Sequence, residues 1–270
     1  MKKVFFLLLA GWMTGGPQAT HAQQRQYTMA EATNGLRQQL APERVKQFEW
    51  LPGENAYTRV IDGNAWVKFT PHGNTLKTDT LLTLDRLNQQ LSSSKPLRNI
   101  PPLHWMTAGT AWCSIDTVLY KGRLQNGGMQ FTEWCRLPAE ADNITVDRES
   151  SQIAWTVKNN LFIRTASGAV QAVTSDADEN IVNGKSVHRE EFGIDKGIFF
   201  SPKGDLLAFF RMDQRMVADY PIIDWSVKPA RANNIKYPMA GGTSHEVTLG
   251  VYQPATQKTV FLKTGGPADH

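Results

Sequence analysis

Apolar and polar residues alternate along most of this chain in short runs, and turn residues interrupt them at intervals of about ten. That period-two pattern predicts strands at Val45 to Trp50, Ala56 to Ile61, Ala65 to Phe69, Thr117 to Arg123, Met129 to Cys135 and Ala169 to Thr174. Helical spacing is confined to two stretches. Thr28 to Leu40 is one, and Leu82 to Leu91 is the other, although the latter reads equally as a strand edge followed by a loop. Many short strands with few helices define an all-β fold: a sandwich, a barrel or a propeller.

An internal repeat decides among these. Ile153-Ala154-Trp155 runs into Asn159-Asn160-Leu161-Phe162-Ile163 as strand, tight turn and strand. Leu207-Ala208-Phe209 repeats the pattern about one unit later, behind the turn Ser201-Pro202-Lys203-Gly204. A weaker copy runs from Trp50-Leu51-Pro52-Gly53 through Ala56-Tyr57 to Gly63-Asn64-Ala65-Trp66-Val67. The spacing suits four-stranded blades of roughly 40–55 residues, with an Ala beside an aromatic where blades converge. The fold expected is a partial β-propeller of about four to five blades.

The first residues have the form of a secretory signal peptide removed after Ala22: Lys2 and Lys3, an apolar stretch from Val4 to Ala10, and the small-residue ending Thr20-His21-Ala22. Three segments follow: 1–22 as signal peptide, 23–44 with a short helix, and 45–270 as incomplete propeller. Export, most simply to a periplasm, is expected, with no membrane span in the mature chain. Net charge is +4, and loss of Lys2 and Lys3 leaves about +2. The remaining cations are scattered among Asp and Glu, so nucleic acid is not an expected partner. Cys113 and Cys135, each behind a Trp, are a candidate disulfide in an exported chain. A simple cross-strand pair about Asn126-Gly127-Gly128 would leave them out of register. No metal-ligand spacing or cofactor motif occurs, and none is expected.

The most informative stretch is Ser186-Val187-His188-Arg189-Glu190-Glu191-Phe192-Gly193, which places two adjacent carboxylates just before a strand–turn–strand unit. From about Asn183 to Thr264 the chain resembles the N-terminal propeller of the dipeptidyl peptidase IV branch of the prolyl oligopeptidase family, the bacterial prolyl tripeptidyl peptidases above all. Carrying the resemblance are Val187-His188, Glu191-Phe192-Gly193-Ile194, Lys196-Gly197, Ser201-Pro202-Lys203-Gly204, Leu207-Ala208-Phe209, Arg211-Met212-Asp213-Gln214, Tyr237-Pro238-Met239-Ala240-Gly241 and Val247-Thr248. The resemblance implies an eight-bladed propeller capping an α/β-hydrolase domain that supplies the catalytic triad. It implies peptide substrates with proline near a free N-terminus, and a homodimer at full length. It also implies that Glu191, with Glu190 beside it, holds the substrate's α-ammonium. Whether the product is a dipeptide or a tripeptide stays open.

The physics of the pair stands without the resemblance. An α-amino group has a pKa of about 7.7–8.0 and is mostly charged at neutral pH. Each charge-assisted bond to a partly buried carboxylate is worth about 1.5–3 kcal/mol, enough to reject an acylated N-terminus. The bland alternative is a solvated turn in which Arg189 compensates the two acids. His188 is a candidate to orient Glu191, against a structural role. Arg211 and Asp213 are candidates to pair with each other near the central cavity. No Gly-x-Ser-x-Gly elbow occurs in the 270 residues. The ending Pro267-Ala268-Asp269-His270 has the look of a cut in mid-propeller, so the chain alone is expected to be catalytically inactive. A second class of function is a non-enzymatic exported propeller binding a glycan or a protein, with Trp105, Trp112, Trp134 and Trp225 as stacking platforms.

Overall fold

A computed structural model describes residues 26–35, 45–91 and 96–267. The proposed signal peptide and the second half of the Thr28 to Leu40 helix lie outside the described residues. The chain divides into two compact units, 1–44 and 45–270. In the first, Thr28 and Glu31 close a reciprocal cap: the Glu31 N–H donates to Thr28 Oγ1 at 3.2 Å and the Thr28 N–H donates to Glu31 Oε2 at 3.0 Å. A short turn of wide helix, Glu31–Gly35, follows.

The second unit is a run of antiparallel sheets, each assembled from strands consecutive in the chain. The first contains β1 (Glu49–Trp50), β2 (Tyr57–Ile61), β3 (Ala65–His72) and β4 (Thr75–Thr83). The second contains β5 (His104–Thr107), β6 (Thr110–Ile115), β7 (Val118–Gln125) and β8 (Gly128–Arg136). The third contains β9 (Ala141–Val146), β10 (Ile153–Val157), β11 (Asn160–Arg164) and β12 (Val170–Ala172). All six expected strands have counterparts in these sheets, although Val45 to Trp50 shortens to the two residues of β1 and Ala169 to Thr174 to the three of β12. Helix α1 (Leu84–Leu91) follows β4 directly, so the segment read two ways is an edge strand and then a helix. Leu87 and Leu91 are its buried face, and Thr83 Oγ1 accepts the Arg86 N–H at 3.3 Å at its start.

Side-chain alternation explains how the sheets stack. In β10, Ile153 and Trp155 join a cluster with Leu119 and Leu137 of the preceding sheet region, while Ala154 joins Leu207, Phe209 and Tyr252 on the other side. A strand buried on both faces reads as a continuous apolar run, and Ile-Ala-Trp is one. Between the first two sheets, the Trp66 and Trp105 rings stack with centroids 4.6 Å apart, and Trp105 Nε1 donates to Thr58 Oγ1 at 2.9 Å. The turn Ser201-Pro202-Lys203-Gly204 packs on Asp147 and Ser150, where Gln152 Nε2 donates to the Gly204 carbonyl. Gly204 has φ +66°, and a Cβ there would come within 2.6 Å of Asp147 Oδ2.

The fourth sheet departs from the pattern in two places. Its first-strand position is shared by β13 (Ile181–Asn183) and β14 (Ile198–Phe200), both antiparallel to β15 (Leu207–Asp213). The hairpin β16 (Asp219–Asp224) and β17 (Arg231–Lys236) is inserted before β18 (Glu246–Gln253) and β19 (Lys258–Phe261) complete the sheet.

Cys113 and Cys135 are free thiols. They sit on β6 and β8 with β7 between them, Cys113 opposite Tyr120 and Cys135 opposite Leu119. Two strand spacings are about 9.5 Å, beyond the reach of a disulfide. The candidate bridge is therefore absent.

Candidate functional site

The carboxylate pair is carried by a loop pushed out of an edge strand. Phe210 of β15 is the residue at which the strand is interrupted: its carbonyl accepts the Gly184 N–H at 2.9 Å, and its N–H donates to the Gly197 carbonyl at 3.1 Å. The intervening residues 185–196 leave the sheet through a narrow neck. A Cβ on Gly197 would collide with the backbone of Lys185, so the neck requires glycine there. Val187 is buried and roots the loop, and beyond it the chain is exposed from Arg189 to Gly193.

Within the loop the backbone is left-handed at His188, Arg189, Glu190 and Phe192, with φ of 51°, 52°, 64° and 58°. Each non-glycine residue held this way costs on the order of 1–3 kcal/mol, a strain tolerated where surrounding contacts fix the geometry. Those contacts are identifiable. Arg189 Nη2 donates to the Lys236 carbonyl at 2.6 Å, and its guanidinium lies 4.7 Å from the centre of the Tyr237 ring. The His188 and His245 rings pack with centroids 4.7 Å apart. No hydrogen bond joins His188 to Glu191 among the described residues, so His188 packs on a second histidine instead.

Glu191 is extended, with φ −65° and ψ 162°, and lines a pocket of about 390 Å³ with Ser186, His188, Gln214, Tyr237 and His245. Glu190 is not part of that lining. Both carboxylates are exposed. The partial burial expected of them is thus missing, and an ion pair made by an exposed carboxylate is weakened by solvent screening. A more apolar cavity of about 660 Å³ is lined by Val187, Phe192, Ile194, Phe210 and Leu249. His188 lines both cavities, and Phe192 is 88% exposed.

Arg211 and Asp213 do not pair with each other. They stand two residues apart on the same face of β15, yet each takes a different partner. Arg211 Nη2 donates to Asp176 Oδ1 at 2.9 Å, while Asp213 takes Arg215 at 2.5 Å and the Arg215 N–H at 3.0 Å. The hydrogen bond from the Arg215 side chain holds the Asp213 carboxyl below the usual range. Sequence reasoning missed His245. It is 8% exposed, and its Nε2 has no hydrogen-bond partner. Burial first, then His188 and Arg189, lower its pKa. Its signal was available: it lies between Gly241 and Val247, inside the stretch that carries the family resemblance. Among the described residues, no group of three or more His, Cys, Asp or Glu side chains is arranged to hold a metal ion.

Successive four-stranded antiparallel sheets, packed face to face and bearing a loop on an edge strand of the fourth, define a β-propeller of which these sheets are part. Residues 118–270 match the family described as the dipeptidyl peptidase IV (DPP IV) N-terminal region, and the chain belongs to that family. It is 35% identical over 113 residues to dipeptidyl aminopeptidase B of Saccharomyces cerevisiae, a match covering 38% of this chain and 14% of the yeast protein. A Bacteroides ovatus structure described as a dipeptidyl aminopeptidase IV superposes with a TM-score of 0.69 at 32% identity, covering 84% of this chain and 31% of that one. Dipeptidyl peptidase 4 of Porphyromonas gingivalis shares the fold, with a TM-score of 0.66 over 91% of this chain and 36% of its own, at 19% identity. The chain therefore spans about a seventh of the yeast relative and about a third of each of these two structures.

Proposed function

We propose that this chain is the N-terminal propeller region of an exported, proline-specific serine exopeptidase, and that Glu191, with Glu190 beside it, binds the substrate's α-ammonium. The observation that carries this is the placement of Glu191: a carboxylate at a pocket, on a loop everted from a propeller blade in a family of dipeptidyl peptidase propellers. An N-terminal exopeptidase measures its cut from the cationic end of the peptide, and a carboxylate on a loop fastened to a rigid sheet supplies an origin for that measurement. The hydrolytic triad belongs to a separate α/β-hydrolase domain in cis, so the 270-residue chain alone binds without cleaving. Val260, Phe261 and Leu262 at the outer edge of the fourth sheet are exposed apolar residues, a surface that a further blade would cover. The glycan alternative finds less support, because Trp105 is buried in the core, Trp112 packs on His104 and Lys121 lies 5.1 Å over the Trp134 ring, which leaves Trp225 as its exposed platform.

In the peptidase carrying this propeller, Glu191→Gln lowers kcat/KM for Xaa-Pro peptides with a free N-terminus by about tenfold or more, the loss of one charge-assisted contact. N-acetylation of the substrate has the same effect on the unaltered enzyme. Unchanged turnover in both measurements removes Glu191 from the site.

A further inference from the structure

An exposed carboxylate attracts cations but discriminates poorly, because water competes for it. Discrimination comes from a buried polar atom that has no partner until the correct ligand arrives. His245 lines the Glu191 pocket, and its buried Nε2 is an atom of this kind, without a hydrogen-bond partner. The ring is held by the chain around it: it precedes β18 and packs at a tilt against His188. Its lowered pKa keeps it uncharged at neutral pH, with one N–H and one lone pair. With the proton on Nδ1, Nε2 presents the lone pair. Across the pocket Arg189 is already occupied by the Lys236 carbonyl and the Tyr237 ring. A primary ammonium brings three N–H donors, more than an exposed carboxylate alone satisfies.

We propose that His245 is a specificity-determining residue of this pocket, its Nε2 accepting one N–H of a primary α-ammonium whose charge faces Glu191. This rests on the reading of Glu191 as the ammonium site and adds the residue that separates amines from amides. An acylated N-terminus brings one N–H, no charge, and a carbonyl oxygen repelled by Glu191. It leaves the pocket's acceptors unmatched.

The test is calorimetric titration of the full chain at neutral pH with the peptide Ala-Ala-Pro-Ala-Ala amide and its N-acetyl derivative. The free peptide binds and the acetylated one does not. His245→Phe keeps a ring to pack against His188 but has no acceptor, and it weakens the free peptide about tenfold. His245→Gln, which restores an acceptor, recovers most of that loss. If acetylation and Glu191→Gln abolish binding while His245→Phe binds as the unaltered chain does, the Glu191 reading stands and the His245 inference is overturned. If neither acetylation nor Glu191→Gln matters, both fall together. A second measurement needs no variant: in chain carrying 15N-labelled histidine, the His245 Nε2 resonance shifts on adding the free peptide and not the acetylated one. A resonance that stays in place overturns the proposal.

Discussion

Glu191 owes its orientation to its neighbours. Glu190 and Phe192 are left-handed while Glu191 is extended, so consecutive side chains are thrown to different sides and one carboxylate reaches the pocket. The adjacent acids were legible because charge in a matched motif is a local signal. His245 lies in the matched stretch but was not singled out, because only the pairing of β15 with β18 brings it to the loop. Its burial has a consequence for acid stability. The native pKa is lowered, so the unfolded chain binds the proton more readily. Stability is complete above the unfolded value of about 6.5, declines as pH falls below it, and stops declining below the native value. Melting curves followed by circular dichroism across that window are expected to show the decline, and His245→Gln to flatten it. Cys113 gives a second check. Burial pushes its thiol up to about 12, leaving almost no thiolate at neutral pH. Peptide mapping after native alkylation is expected to find Cys113 unmodified, and unfolding to expose both thiols.

At the scale of elements, the sequence was clearest where a strand is long enough to alternate. Leu82 to Leu91 was open to two readings, and the helical spacing of Leu84, Leu87 and Leu91 is the one that α1 takes. The interruption of the fourth sheet was invisible for the converse reason. Strands β13 and β14 have three residues each, too few for a period, and only pairing with β15 shows them to be one strand cut in two. The glycine at the cut carries the junction. Gly197→Ala forces a methyl group into the Lys185 backbone, and overpacking of this kind costs about 1–3 kcal/mol. A lowered melting temperature with weaker binding of the free peptide is the expected result. An unchanged melting temperature shows that the neck widens without penalty.

For the whole molecule, the repeat of turn, Ala and aromatic was enough to choose the propeller, because successive sheets bury their facing surfaces against one another. The packing of Trp66 on Trp105 closes the first of these interfaces. Trp105→Ala removes a fully buried ring and leaves Thr58 Oγ1 without its donor, a loss of about 3–5 kcal/mol. Urea titration is expected to show it as a lower midpoint. The Arg148 to Glu49 ion pair at 2.8 Å joins distant parts of the chain, but its arginine is half exposed, and replacing it is expected to move the midpoint little. The everted strand has a different consequence. Because both ends of the excursion rejoin the ladder at Phe210, residues 185–196 form a cassette whose length the ladder itself does not set. Lengthening such a cassette twofold adds only about 0.6 kcal/mol of closure entropy. The scaffold is thereby free to stay constant while the yardstick it carries is recut for products of another size.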